Sequence, residues 1–302
     1  MAVSTNTKLL IVDIDDTKWT RKNITPKNWK VVADVYGMDY AELMKFQPGR
    51  TVTDVFKRYA DQLSSPNVND LPDGVASPPP YVGDGEDFKR VAEWYTTQLD
   101  QNIAPDADIP ILPGAQERIM EAEAAGIRVA IVTSADSVTF TKALVAAKQT
   151  PQARAAYPEL GERGFRFPPN TILVSGDRLE GGPGKPHPHA LRLAMSKAGI
   201  ADPSEVQMWG DSWSDVLAGL LAGVETLAIG TGTADKLTSW NLTKEGIREV
   251  AEKKGLDHLL PESAPLPVYV NDLQEVSIGR STDGTPVIKR GVQPLQTAEM
   301  SL

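Results

Sequence analysis

Seven side chains at the ends of short apolar runs have types and spacings that could do chemistry together. Leu9-Leu10-Ile11-Val12 runs straight into Asp13-Ile14-Asp15-Asp16-Thr17, and Ile127-Arg-Val-Ala-Ile-Val132 runs into Thr133-Ser134. Val206-Gln-Met-Trp209 leads to Gly210-Asp211-Ser212-Trp213-Ser214-Asp215, and Lys185 follows the glycine-rich turn Gly181-Gly-Pro-Gly184. Asp13 and Asp15 are two apart, so on an extended chain their side chains share a side. Carboxylates held close repel unless a cation sits between them or one takes up a proton. A set offering oxygen alone, with no His or Cys partner, suits a hard cation such as Mg²⁺. A hydroxyl and a lysine nearby add a hydrogen bond and a positive charge for an anionic group. Together these groups describe a phosphoryl site.

The elements around them can bring them together. A strand buried on both faces has no solvated side, so its polar residues gather where it leaves the sheet, and open α/β sheets place their ligands at that edge. Short apolar runs predict strands at 9–12, 127–132, 171–174, 206–209 and 225–229, with helices from Pro113 to Ala125, Ser137 to Ala147, about His189 to Ala198, and on to Ala222. This alternation predicts an α/β fold: a parallel sheet with helices on both faces. Parallel strands present all their carboxyl ends on one edge, so the polar groups can converge there.

Residues 18–110 have a different character. Thr25-Pro26 starts a helix that Gly37 ends, and helical periodicity returns from Thr51 to Leu63 and from Asp87 to Leu99. Ser64 to Glu86, with Pro78-Pro79-Pro80, reads as a long surface loop. No strand is expected there, so the segment reads as a helical insert. Beyond Gly232 a surface helix is expected at Lys244 to Lys254, a strand at 267–270 and a hairpin turn at Thr282-Asp283-Gly284-Thr285. The polar tail from Ser277 carries no readable role.

Composition narrows the classes. The chain has 302 residues, 41% hydrophobic and 24% charged, enough for a large core. Lys+Arg 31 against Asp+Glu 40 gives a net charge of −9, which argues against a broad nucleic-acid or anionic-membrane surface. There is no cysteine, so disulfides, thiol catalysis and Cys-ligated zinc are excluded. The start Met-Ala-Val-Ser-Thr-Asn-Thr-Lys has no apolar signal core, and no run is long enough to span a bilayer. A soluble, cytoplasmic protein, monomer or homodimer, is expected.

The order of the motifs resembles the haloacid dehalogenase superfamily: DxDxT at Asp13 to Thr17, a strand-end Thr133, Lys185 in Gly-Lys-Pro, and GDxxxD from Gly210 to Asp215. The resemblance implies a Rossmann-like core from residues 1–17 and 111–302, with 277–302 of unclear role, and a C1-type helical cap at 18–110. It implies that Asp13 is a nucleophile forming an aspartyl-phosphate and that Asp15 is the general acid/base. Thr133 and Ser134 would bind phosphoryl oxygens, and Lys185 would steady Asp13 and the phosphate. Asp13, the Asp15 carbonyl and Asp211, with Asp215 behind or beside it, would hold Mg²⁺. Members that cleave carbon–halogen or carbon–phosphorus bonds typically lack a second Asp at position 15. A Mg²⁺-dependent phosphatase of a small phosphorylated metabolite, a phosphomonoester such as a sugar phosphate or phosphoglycolate, is therefore implied. A phosphomutase of the β-phosphoglucomutase type carries the same motifs, and a non-catalytic binding protein on this fold is a further alternative. Arg50, at a helix start of the cap, could reach a substrate phosphate or sugar, or be solvated. Lys185 does not belong to a P-loop, because Leu179 and Pro186 stand where that motif needs Gly and Ser/Thr. His187 and His189 flank Pro188 in a turn, which suggests a helix start rather than a metal site.

Overall fold

The structure, a computed structural model, describes residues 2–4, 6–15, 24–46, 52–80, 82–104, 109, 111–149, 167–230, 243–262 and 265–290. Among them are strands β1 (Ala2–Ser4), β2 (Leu9–Val12), β3 (Arg128–Val132), β4 (Ile172–Val174), β5 (Val206–Gly210), β6 (Glu225–Ile229), β7 (Val268–Val270), β8 (Val276–Arg280) and β9 (Pro286–Arg290). Six of these form one sheet in the order β4-β3-β2-β5-β6-β7, with every pairing parallel. All residues of β2 and β5 are buried, which is why these sequences read as continuous apolar runs rather than alternating ones.

The two-residue period of a strand divides this core into two layers. Leu10 and Val12 pack with Ile119 and Ala122 of α5 (Ala115–Ala125) and with Phe140 and Ala143 of α6 (Ser137–Gln149). Leu9 and Ile11 face the other way, onto Leu191 and Ala194 of α7 (His189–Lys197) and Ala218 and Ala222 of α8 (Trp213–Ala222). The outer side of α8 is covered by α9 (Lys244–Lys253) through Ile247 and Ala251. This is an α/β Rossmann-like fold.

Residues between β2 and α5 form α1 (Thr25–Tyr36), α2 (Tyr40–Phe46), α3 (Val52–Arg58) and α4 (Asp87–Trp94), whose last turns widen into a π-helix over Tyr95–Asp100. They have a hydrophobic cluster of their own, in which Trp29 stacks on Tyr95 with centroids 4.3 Å apart. Helix α2 has no counterpart in the periodicity because Leu43 alone is fully buried in it. The 51–63 prediction shortens, with α3 ending at Arg58 and a 3₁₀ turn following at Ala60–Gln62. The loop at 64–86 is spent on its neighbours: Ser64 donates to the Tyr36 carbonyl (3.0 Å), Asn67 N–H to Val35 (2.8 Å), and the Trp94 indole to Ala76 (2.8 Å).

The tail acquires a place. β8 and β9 form the expected hairpin, and β9 also pairs with β1, so the sequence's two ends make a three-stranded antiparallel sheet. Val276, Ile278 and Ile288 extend the α5 layer, and Ile278 N–H donates to Glu121 of α5 (2.7 Å). No helix among the described residues is long and apolar enough to cross a membrane.

Candidate active site

The parallel register brings the polar strand ends to one edge. Val12 stands beside Ile131 of β3 and Trp209 of β5, so each chain leaves the sheet within a residue or two of its neighbours. Asp13 follows at once, with its N–H donated to the Trp209 carbonyl (2.9 Å). Thr133 and Asp211 leave β3 and β5 on either side of it. Thr133 N–H bonds to Val174 of β4 (3.0 Å), which carries the same edge to the outermost strand.

Lys185 closes the group from beyond β4. Its side chain is 3% exposed, and its three protons are all used, on Asp13 Oδ1 (2.6 Å), Asp215 Oδ1 (2.5 Å) and the Val132 carbonyl (3.0 Å). The peptide bond that follows, Lys185-Pro186, is cis. Asp215 is held from its other side as well: Oδ2 accepts from Ser212 N–H (3.1 Å) and Ser212 Oγ (2.5 Å), while Ser212 caps α8. This capping box folds Asp215 back over residue 210, where a Cβ would meet the Asp215 Cβ at 2.3 Å. Only glycine leaves that room, which explains the Gly210 before Asp211.

Asp13, Asp211 and Asp215 are all buried and each offers a carboxylate oxygen within 4.8 Å of the others. One lysine stands among three carboxyl groups. Burial first and the Asp215 carboxylate second push the Asp13 carboxyl up to about 8, against the opposing pull of Lys185. Burial alone would lower Lys185, but Asp13 and Asp215 outweigh it and hold the ammonium above its usual range. Excess buried negative charge, oxygen donors alone and no imidazole or thiolate in the cluster fit a divalent hard cation.

Asp15 is not part of this carboxylate cluster. It is half-buried and lines a narrow crevice with Thr133, Ala135, Thr139 and Phe140. Thr133 Oγ1 accepts the Ala135 N–H (3.1 Å), which leaves its own hydroxyl proton to donate. Ser134, also half-buried, lies on the same loop. Arg50, with Asp16 and Thr17, lies outside the described residues. His187 and His189 are absent from the carboxylate cluster: His187 Nδ1 accepts the His189 N–H at the start of α7 (3.1 Å), and His189 Nε2 pairs with the Leu179 carbonyl (2.7 Å).

Sequence reasoning missed the Val132 carbonyl, Ser212 and the group on the β4 loop around Asp177. Ser212-x-x-Asp215 has the spacing of a capping box and could have been found. A main-chain acceptor has no sequence signature.

A model of the haloacid dehalogenase-like hydrolase family matches residues 7–223, most of the chain. The chain belongs to this family. As a haloacid dehalogenase-like hydrolase, it is similar in fold to a hydrolase from Pseudomonas syringae, at 17% identity and a TM-score of 0.55, over 88% of this chain and 94% of that one. It is also similar in fold to CbbY from Rhodobacter sphaeroides, solved in complex with phosphate, at 19% identity and a TM-score of 0.50, over 74% of this chain and 85% of that one. A local match of 47% identity over 45 residues joins it to the pyrophosphatase PpaX of Bacillus pumilus, covering 15% of this chain and 20% of that relative's length.

Proposed function

We propose that this hydrolase is a Mg²⁺-dependent phosphatase of a small phosphomonoester, working through an aspartyl-phosphate on Asp13. The observation that carries the reading is the buried cluster in which Lys185 bridges Asp13 and Asp215 beside Asp211. A carboxylate nucleophile splits one hard displacement into two easier ones, provided that its repulsion from the phosphate is neutralised. Asp13, Asp211 and the Asp15 carbonyl would hold Mg²⁺, with Asp215 supporting Lys185 behind them. When bound, the ion would supply charge neutralisation for the anionic phosphoryl group.

The chain's own groups have distinct roles in this reading. Lys185 keeps Asp13 oriented and offsets charge. Thr133 and Ser134 donate hydrogen bonds to phosphoryl oxygens. Asp15 gives a proton to the leaving alcohol, then takes one from the water that hydrolyses the acyl phosphate. The helical segment 18–110 acts as a cap; Gln101, just after the π-helix, donates to Asp136 on the phosphate-binding loop (3.0 Å), which supports a link between the two.

Purified protein with Mg²⁺ should hydrolyse p-nitrophenyl phosphate, and Asp13→Asn should cut the rate by on the order of a thousandfold or more, as loss of a covalent nucleophile does. Survival of activity in that variant would refute the covalent mechanism. A panel of phosphorylated metabolites that yields free phosphate supports the hydrolase; isomerised sugar phosphate with little free phosphate would identify a mutase.

A further inference from the structure

The loop from Thr133 to Ser137 rests on the loop that follows β4. Gly176 N–H donates to the Ala135 carbonyl (2.8 Å), and a Cβ on Gly176 would stand 2.5 Å from the Ser134 carbonyl oxygen. Asp177 ties the far end. Its Oδ1 accepts from Ser137 N–H (2.9 Å) and Ser175 Oγ (2.5 Å), and its Oδ2 accepts from Ser137 Oγ (2.6 Å). Ser137 and Ser175 are buried. Burial alone would raise the Asp177 carboxyl, yet these hydrogen bonds outweigh it and hold the group below its ordinary value, so the carboxylate stays charged.

The tie is one-sided in a useful way. Thr133 is anchored to β4 by its backbone, and Ser137, four residues on, is anchored to the β4 loop by Asp177. Ser134 lies between them, and its hydroxyl with that of Thr133 would face an anion. None of the bonds made by Asp177 reaches Asp13, Asp211, Asp215 or Lys185.

We propose that Asp177 is a positioning residue for phosphoryl binding: through Ser137 it presets the Thr133–Ser134 loop without touching the substrate. This rests on the phosphatase reading above. Its signature is a separation of two constants. In Asp177→Ala the KM for p-nitrophenyl phosphate and the inhibition constant for inorganic phosphate should both rise about tenfold, the order expected from losing a charge-assisted hydrogen bond. The Mg²⁺ concentration for half-activation should stay within about twofold, because the metal cluster is untouched. Asp177→Asn, which keeps an acceptor for Ser137 N–H, should recover part of the loss. Ser137→Ala removes one hydroxyl and keeps the backbone bond, so it should move the same constants less and tests the idea even if the alanine variant at 177 folds poorly.

A fall in kcat with KM and phosphate inhibition unchanged would mark Asp177 as a merely structural carboxylate and overturn the proposal. So would equal shifts in the Mg²⁺ and phosphate constants. If the parent protein itself neither binds phosphate nor hydrolyses the ester, the functional reading falls and this one with it; if the parent is active and Asp177→Ala leaves phosphate inhibition alone, only the positioning role fails.

Discussion

Strand β5 is flanked by ionic groups near both ends, and they are built differently. Near its start, Gln207 donates to Glu225 of β6 (2.9 Å) and accepts from the Trp209 indole (3.0 Å), while Arg290 of β9 pairs with the other Glu225 oxygen. One guanidinium meets one carboxylate, and an amide takes up what is left. At its carboxyl end a single ammonium bonds two of three clustered carboxyl groups. The first arrangement is balanced and ties the C-terminal hairpin to the central sheet. The second is left negative, which a fold selected for stability alone would not keep. Charge imbalance in a buried cluster, rather than burial of charge as such, separates a site from a clasp.

The sharpest way to break this contrast is to remove the lone cation. Above about pH 8, where Asp13 is charged, Lys185→Met should destabilise the metal-free protein by about 3–5 kcal/mol, because it leaves uncompensated buried carboxylates. Urea unfolding at that pH in the presence of a chelator measures it; a change under about 1 kcal/mol would mean that Lys185 does not offset buried charge in the folded state. Adding Mg²⁺ to the parent protein should act the other way. At a hundred times its dissociation constant the ion should add about 2.7 kcal/mol. Magnesium that leaves the melting temperature where chelator leaves it would argue against a cation at the cluster.

The clasp should respond more weakly. Arg290→Met removes the partner of Glu225, but that carboxylate is 29% exposed and keeps its bond from Gln207, so a loss of about 1–2 kcal/mol is expected. Hydrolysis per folded molecule should be unchanged. A variant that melted normally but lost Mg²⁺ affinity would show that the two ends of β5 are coupled and the contrast is false.

The strand-end members of the carboxyl-edge group were legible in the sequence because they follow apolar runs, and buried strands leave polar residues nowhere else to gather. Lys185, well past Val174, was legible through its Gly-Lys-Pro turn. The clasp was not. Arg290 and Glu225 are 65 positions apart with no pattern joining them. The three residues of β1 are too few to show a period, and their partner β9 lies at the other end of the chain. Asp177 was invisible for a similar reason: its partners Ser137 and Ser175 lie on two loops, and a lone Asp in a turn reads as solvated. Local pattern reports which residues leave a strand together; it does not report which distant loop they lean on.

The smallest expected effect decides where acid sensitivity comes from. Burial, with His189, Arg192 and His258 adding to it, lowers the His187 imidazole below its ordinary value. The folded state therefore binds this proton less readily than the unfolded chain, and stability is lost as pH falls below about 6.5. Asp13 has the opposite sign. Its carboxyl is raised to about 8, so the folded state takes a proton first and the metal-free protein gains stability as pH falls from about 8 towards the unfolded value of 3.8. The two slopes oppose each other just below pH 6.5. His187→Asn keeps an acceptor for the His189 N–H and removes one of them. In chelator, its melting temperature should rise through that window more steeply than the parent's. An unchanged pH profile would mean that His187 does not contribute to the pH dependence of stability at this edge.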